Sequence, residues 1–185
     1  MYELSLFILD LAQNSLTANA SLVTIRLLES AALNRVSVAV ADNGCGMTPE
    51  TAERATDPFM TTKALRQKKI GLGLPFFKQL VEMCGGSFRL VSRPGRGTIV
   101  RGMYPFDNVD QPPVGDLDES IFALVAGNPD VDFRYTRRTD SWQQVFDTRP
   151  VKEALGPDAR ELWQSVDILD WLRETIRARE PRDQN

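Results

Sequence analysis

The amino-acid sequence predicts a two-layer α/β sandwich, in which a mixed sheet is backed by helices, followed by a small α+β extension. Within residues 1–104, two segments with helical apolar periodicity alternate with two pairs of strand-like segments. The composition then changes at Pro105–Gly115, a segment rich in proline that is typical of a linker. We therefore expect one domain over residues 1–106 and an extension over 107–185 that contains a helix, a hairpin and a helix.

The first helix is predicted over residues 1–20, because apolar and small side chains recur there at steps of three and four residues. These side chains are Leu4, Phe7, Ile8, Leu11, Ser15 and Ala18. Two segments rich in β-branched residues, Leu22–Glu29 and Arg35–Asp42, follow across a small-residue turn and predict an antiparallel pair of strands. Three valines of the second strand would share one face: Val36, Val38 and Val40.

The segment 42–73 is predicted to be mostly a long loop. Its helix candidate follows Thr48-Pro49-Glu50, where proline suits a first helical turn. A second long helix is expected over Leu74–Cys84, and it ends at Gly85-Gly86, whose backbone suits a helix C-cap. Alternating apolar residues and a Pro-Gly turn then predict a second hairpin over residues 87–104.

Three elements are predicted in the extension. Asp116 and Glu119 have the spacing of a capping box, and they open a helix that ends near Gly127. An alternating run that starts at Val131 predicts a hairpin. A final helix is expected to begin at Pro157-Asp158. Its apolar stripe would comprise Leu162, Val166, Leu169, Leu172 and Ile176.

The composition excludes several classes of protein. The 185 residues contain 22 Lys and Arg against 25 Asp and Glu, and the net charge of −3 argues against a partner that is a nucleic acid. No apolar run reaches the roughly 18 to 20 residues that span a bilayer, so we expect no membrane partner. Acidic residues near the start, Glu3 and Asp10, are unlike a signal peptide, and we expect a cytoplasmic location.

Histidine is absent from the sequence, and cysteine is rare. Without histidine, this chain cannot supply an imidazole base, a histidine metal ligand or a phosphohistidine. Cys45 and Cys84 are too few for a disulfide scaffold and lack the paired spacing of a zinc site, so we expect both to be reduced. Cys45 could be a redox sensor, although packing beside two glycines also accounts for it.

Asp10 and Asn14 form the first motif that suggests chemistry. They are four residues apart, so a helix places both side chains on one face. There an amide oxygen can ligate a hard cation, and a carboxylate can hold a water. The alternative is a polar pair on a solvated helix face.

The second motif, Asp42 to Met47, follows directly after an apolar strand. The carboxylate of Asp42 could accept a hydrogen bond from an exocyclic amine such as that of adenine, while Gly44 and Gly46 let a flat ring approach the backbone. The alternative is a turn that ends the strand, because Asp-Asn-Gly is also turn chemistry.

Two further motifs contain groups that attract phosphate. Asp57 to Lys63 lies in the loop, where the lysine could close over a phosphate. Gly71-Leu72-Gly73-Leu74 opens the second long helix, whose free N–H groups favour an anion. The sequence lacks the Gly-Lys-Ser/Thr ending of a P-loop.

Taken in order over residues 1–106, the four motifs resemble those of the GHKL (Bergerat-fold) ATPases, the superfamily of gyrase B, ninety-kilodalton heat-shock chaperones, histidine kinases and MutL. The resemblance implies ATP and Mg²⁺ as ligands. It places Asn14 at the magnesium-ligand position and Asp10 at the position of the catalytic acid, usually Glu. The whole chain is also similar to small stand-alone ATP-binding proteins of the histidine-kinase-like or anti-sigma-factor-like kind.

The same resemblance assigns roles to the remaining motif residues. The family's adenine-binding box corresponds to Asp42, Gly44, Gly46 and Met47, and Thr98 matches a threonine that lies near adenine. Contacts to the phosphates are implied for Lys63, Gly71, Leu72 and Gly73.

Two substitutions depart from the family's pattern. Asp10 is one methylene shorter than glutamate, which withdraws the base from a water that it must touch, so hydrolysis should be slow or absent. Lys68-Lys69-Ile70 stands before Gly71 where many relatives have another glycine. The lid should therefore have less backbone freedom and more positive charge near the phosphates.

Two functions therefore remain open. The chain is expected to be an ATPase or protein kinase whose phosphoacceptor lies on another, unidentified protein, or an ATP-gated interaction module in which lid closure reorganises a surface formed with the extension. The near-complete site favours the enzyme, and the departures favour the module.

The extension has two features that admit two interpretations each. Three arginines lie on a strand that we expect at an edge of the sheet: Arg134, Arg137 and Arg138. They would either prevent aggregation through that edge or bind an acidic partner or a phosphate. Trp163, Trp171 and the apolar stripe of the last helix would cover the sheet, or else dock a partner or a second copy of the chain as a homodimer.

Overall fold

The computed structural model describes residues 3–57 and 73–177. In this part of the chain, six strands form one mixed sheet. The strands are β1 (Leu22–Ser30), β2 (Arg35–Asp42), β3 (Ser87–Arg93), β4 (Gly97–Tyr104), β5 (Asp132–Arg138) and β6 (Gln143–Asp147). Their order across the sheet is β3-β4-β2-β1-β5-β6, and every neighbouring pair is antiparallel except β1 and β5, which are parallel.

Helices connect these strands. They are α1 (Leu4–Thr17), α2 (Pro49–Ala55), α3 (Gly73–Met83), α4 (Leu117–Gly127), α5 (Thr148–Leu155), α6 (Ala159–Leu162) and α7 (Val166–Ile176), with a 3₁₀ turn at Gly156–Asp158 between α5 and α6. None of the helices within the described ranges combines the length and the apolar character needed to cross a bilayer.

The helices pack on one face of the sheet and bury the core there. α1 lies between α3 and α4, and α7 packs on α4. The predicted stripe of α1 is buried at Leu4, Phe7, Ile8 and Leu11, and so are the three valines of β2. On the other face of the sheet, the described side chains are exposed or half-buried, apart from Ser30.

The extension adds its hairpin to the same sheet. β5 pairs with β1, and its side chains Phe133 and Tyr135 are buried in the same core cluster as α1. The predicted cap of α4 is confirmed, since Asp116 accepts a hydrogen bond from the backbone N–H of Glu119 at 3.0 Å. The domain boundary near residue 106 stays a prediction, although core side chains from both sides of it are in contact.

The end of the chain differs from the single final helix predicted from Pro157. The helical path breaks after α6, where Trp163 turns inward and its indole N–H donates to the Val125 carbonyl at 3.1 Å. Ser165 then caps α7 by accepting from the backbone N–H of Ile168 at 3.4 Å. Val166 of the predicted stripe is therefore exposed, and α5 is a helix that the sequence reading did not predict.

The predicted edge position of β5 is wrong. β6 lies outside β5 in the sheet, and Arg137 turns to the core side of β5, where it pairs with Glu29 at 3.0 Å. Protection of an edge therefore does not account for these arginines.

Candidate functional site

A cavity of about 270 Å³ lies between α1, the turn after β2, α2 and β4. It opens on the helical face of the sheet, where α1 and α2 form two of its walls. Five residues of the predicted site line it: Asn14, Asp42, Gly46, Met47 and Thr98. The floor is apolar, with Leu11, Val40, Leu74 and Val100. The cavity thus combines apolar walls with one carboxylate, which is the usual composition of a site for a small ligand.

The carboxylate of Asp42 is fixed by three hydrogen bonds. Its Oδ1 accepts from the backbone N–H of Gly44 at 2.9 Å and from that of Thr98 at 3.2 Å. Its Oδ2 accepts from the hydroxyl of Ser15 at 2.8 Å. A carboxylate has about four acceptor positions, so one position on Oδ2 remains for a donor.

The turn that carries Asp42 requires glycine for two reasons. Gly46 has φ +65°, and a Cβ there would collide with the carbonyl oxygen of Arg93. Gly44 is buried, and a Cβ there would lie 2.7 Å from the carbonyl oxygen of Ala18. Between them, the N–H of Cys45 donates to Ala18 at 2.9 Å, which holds the turn against the end of α1.

Ser92 joins the two walls of the cavity. Its hydroxyl lies 2.8 Å from that of Thr98 and accepts from the backbone N–H of Met47, also at 2.8 Å. Ser92 thereby fixes both Thr98 and Met47. Cys45 lies on the cavity wall with an exposed, free thiol, and Cys84 is a buried free thiol.

Asp10 and Gly73 form a second part of the site, one helical turn along α1 from Asn14. A Cβ at Gly73 would lie 2.5 Å from the Asp10 Cβ and 3.1 Å from its Oδ2, so glycine lets the start of α3 approach this carboxylate. The Asp10 residue is exposed as a whole, yet the protein around its carboxyl group excludes part of the water. This desolvation raises the pKa of Asp10.

Three predicted site residues, Lys63, Gly71 and Leu72, lie outside the described residues. Of the other eight, the five residues named above line the cavity together. Gly44 contributes its backbone N–H, which donates to the Asp42 carboxylate. Asp10 and Gly73 lie beside each other in the second part of the site. Sequence reasoning missed Ser15 and Ser92 as site residues. Ser15 carried a signal, because a hydroxyl on the apolar stripe of a helix needs a buried partner.

The cavity wall carries one amide oxygen, that of Asn14, that could ligate a hard cation. Within residues 3–57 and 73–177, no cluster of three or more acidic, histidine or cysteine side chains could hold an ion. Mg²⁺ does not need such a cluster, because it keeps several waters and often takes only one or two protein oxygens beside the phosphates of a substrate. The amide oxygen of Asn14, on the cavity wall, is a donor of that type.

The family model for histidine kinase-, DNA gyrase B- and HSP90-like ATPases matches residues 3–108. The chain belongs to this family. All the residues that line the cavity fall within the matched segment of this ATPase domain, and the resemblance predicted from the motifs is confirmed.

Curated relatives of this ATPase domain are sensor proteins and histidine kinases. A sensor protein of Shewanella frigidimarina is 28% identical over 109 residues, which cover 58% of this chain and 16% of the relative. The cell-division control histidine kinase PdhS of Brucella anthropi is 37% identical over 81 residues, which cover 38% of this chain and 8% of the relative. The chain therefore spans less than a fifth of the length of these relatives.

Solved structures show the same fold. The Aquifex aeolicus MutL ATPase domain complexed with ADP has a TM-score of 0.51 and 18% identity, covering 87% of this chain and 69% of its own. The N-terminal domain of a DNA repair protein has a TM-score of 0.50 and 17% identity, covering 86% of this chain and 58% of its own. The predicted fold class, a mixed sheet backed by helices, is confirmed.

Proposed function

We propose that the chain binds Mg-ATP and that the γ-phosphate of the bound ATP passes to an acceptor on another protein or to water. The observation that carries the proposal is the Asp42 carboxylate. It lies on the wall of the cavity, three donors fix it, and it retains one acceptor position. The 6-amino group of adenine is a donor of matching size, and the apolar floor suits the faces of a purine ring.

The phosphates would extend from the cavity along α1 toward Gly73. Asn14 would hold the magnesium ion, which would neutralise charge on the phosphates. The terminal phosphate would be bound at Gly73 and at the predicted contacts Lys63, Gly71 and Leu72. The glycines and Leu72 would donate backbone N–H groups, and Lys63 would supply a positive charge.

Asp10 would orient the attacking group. Its carboxylate lies beside the first residue of α3, one turn from Asn14, so it is close to the expected position of the γ-phosphate. The raised pKa makes the carboxylate a stronger base than an ordinary aspartate. The 185 residues contain no histidine, so a histidine acceptor would lie outside these residues, as we propose by likeness to the kinase relatives. We also propose a cytoplasmic location, because the proposed ligand, ATP, is supplied there.

Release of phosphate from ATP labelled on the γ-phosphate tests this proposal. The purified chain with Mg²⁺ should release labelled phosphate, and Asp10→Asn should abolish the release while ATP stays bound. Asp10→Glu restores the side-chain length usual in the family and should raise the rate. Asp170→Asn, the same chemical change at an exposed position on α7, is the matched control and should leave the rate unchanged.

The alternative function is an ATP-gated interaction module with little or no turnover. It is favoured by one observation, the shorter acid at position 10. The same assay separates hydrolysis from retention of ATP. If wild type and Asp10→Glu both retain ATP in a one-to-one complex and release no phosphate, the ATPase activity is rejected, and the chain is either the module or a kinase whose acceptor is absent from the assay.

A further inference from the structure

The uncovered face of the sheet carries a row of arginines. On β3 and β4, Arg89 lies directly opposite Arg101. The same row continues through Ala39 on β2 to Arg26 on β1. All three arginines are exposed, and neighbouring strands are about 4.8 Å apart. The row therefore presents three guanidinium groups along roughly 15 Å of a flat surface.

Further arginines extend this surface, which we call the arginine face. Arg93 lies at the end of β3, and Arg134 and Arg138 alternate along β5 on the same side. Within the described residues, no ion pair joins any arginine of the face to an acid. The ion pairs of this part of the chain are Lys78–Glu82, Arg137–Glu29, Arg149–Asp147, Lys152–Asp132, Arg160–Asp130 and Arg173–Glu119.

Acids on this side of the sheet lie near β5 and β6, away from Arg89 and Arg101. Asp132 is bound by Lys152 at 2.8 Å, and Asp147 by Arg149 at 2.6 Å. Asp140, in the β5–β6 turn, accepts hydrogen bonds from Ser30 and from the N–H of Ala32. Asp147 and Asp140 attract Arg134 and Arg138, whereas Arg89, Arg101 and Arg26 have no ion-pair partner among the described residues of this chain, whose net charge is −3.

The stability of the isolated chain does not account for this arrangement. Like charges directly opposite each other on neighbouring strands destabilise a sheet, as Arg89 and Arg101 must. Charges that protect an edge would explain Arg89 on the edge strand β3 but not Arg101 or Arg26, because β4 and β1 lie inside the sheet.

A shallow cavity of about 340 Å³ lies beside the row on the same face. Val91 and Ile99, paired across β3 and β4, are 38% and 45% exposed on its lining. Arg93 and Arg96 border it. An apolar side chain of a bound molecule would fit here against Val91 and Ile99, between the cationic groups of the neighbouring arginines. This mixture suits a protein surface better than a nucleic-acid backbone, which has no apolar group to place there.

We infer that the arginine face binds a partner protein whose surface presents carboxylates around an apolar side chain. Arginine matches this chemistry because its planar guanidinium group can bind a carboxylate through two hydrogen bonds. A second copy of the chain, docked face to face, would set arginine rows against each other, so the charge argues against that occupant. The surface lies on the opposite side of the sheet from the cavity that contains Asn14, and the inference does not depend on ATP binding.

The test begins with a photo-crosslinking amino acid, benzoylphenylalanine, placed at Ile99 in the full chain within the cells it comes from. The same probe at Trp171, which is 44% exposed on α7, is the control. Mass spectrometry then identifies the crosslinked molecule and the crosslinked segment. We expect a protein segment with Asp or Glu residues, captured from Ile99 and not from Trp171.

Affinity for that purified partner is then measured with Arg101→Glu. We expect affinity to fall about tenfold or more, and to be restored by exchanging one acid of the crosslinked segment for arginine. Arg177→Glu, on the helical side, makes the same change in net charge and should not alter affinity. Arg101→Glu also sets a carboxylate opposite Arg89, so its melting temperature should equal or exceed that of wild type, which separates lost binding from lost folding.

Four outcomes would overturn the inference. They are the absence of any crosslink from Ile99, a crosslink to nucleic acid or lipid, a crosslink to a second copy of the chain, and a partner whose affinity is unchanged by Arg101→Glu.

Discussion

Asp42 connects three parts of the chain through a single side chain. The donors to its carboxylate come from α1, from the turn after β2 and from β4. Its orientation is thus set before any ligand arrives, which lowers the cost of binding a group that needs one well-placed acceptor. The motif alone left open whether this aspartate only ends a strand, and the hydroxyl of Ser15 was the donor that the motif did not reveal.

In its proposed role as the base, Asp10 should set the pH dependence of turnover. Desolvation raises its pKa, and a base acts only when it is deprotonated, so phosphate release should fall on acidification at a higher pH than an ordinary aspartate would give. The measurement is the rate of release at saturating Mg-ATP across the acid range. ATP binding measured at the same pH values separates titration of Asp10 from loss of the ligand. A rate that stays constant down to the ordinary range of aspartate would contradict this role.

The site residues show what sequence patterns can predict at this scale. Asn14 and Asp42 were predicted from motifs and Thr98 from the family resemblance, and all three lie on one cavity although they are far apart in sequence. Ser92 was not predicted. Its position depends on the register between β3 and β4, which sets its hydroxyl 2.8 Å from that of Thr98. Alternation of side chains along a strand does not reveal register between strands.

Among the elements, α7 and the turn before it depend on Trp163. This side chain is 1% exposed, and its ring contacts the Lys152 ammonium group at 5.4 Å from the ring centre. We expect Trp163→Ala to lower the free energy of unfolding by about 3 to 5 kcal/mol, and Trp163→Phe to lower it by about 1 kcal/mol through the hydrogen bond to Val125.

Chemical denaturation followed by circular dichroism measures both changes. Trp171→Ala is the matched control, because Trp171 is 44% exposed on α7 whereas Trp163 is 1% exposed, so its loss should be clearly smaller than that of Trp163→Ala. Equal losses for the alanine variants of Trp163 and Trp171 would show that the inward turn at Trp163 does not hold these helices.

This turn also explains why the last helix was predicted incorrectly. The apolar stripe from Leu162 to Ile176 has helical spacing. Because the apolar residues on both sides of the interruption keep nearly the same helical spacing, periodicity alone does not reveal that the helix is broken there. Ser165 supplies the cap for α7. A serine within a helical pattern is weak evidence for a break, because serine also occurs inside helices.

At the scale of the whole molecule, local pattern predicted all six strands and the helices α1 to α4 but not how the strands are ordered. The parallel pairing of β5 with β1 joins residues more than one hundred positions apart. Nothing in either strand's alternation specifies that partner, since both strands bury one face in the same way. The arginine face is a consequence of this order, because Arg89, Arg101 and Arg26 come from three separate strands.

We propose that the cavity binds adenine through Asp42, and isothermal titration calorimetry with Mg-ATP and Mg-GTP tests this binding most directly. GTP has a carbonyl where ATP has an amino group, so it would set an acceptor against the Asp42 carboxylate. We predict one bound ATP per chain, affinity for GTP at least about tenfold weaker, and loss of ATP binding in Asp42→Asn at an unchanged fold. Equal affinity of wild type for the two nucleotides, or undiminished ATP binding by Asp42→Asn, would contradict the account.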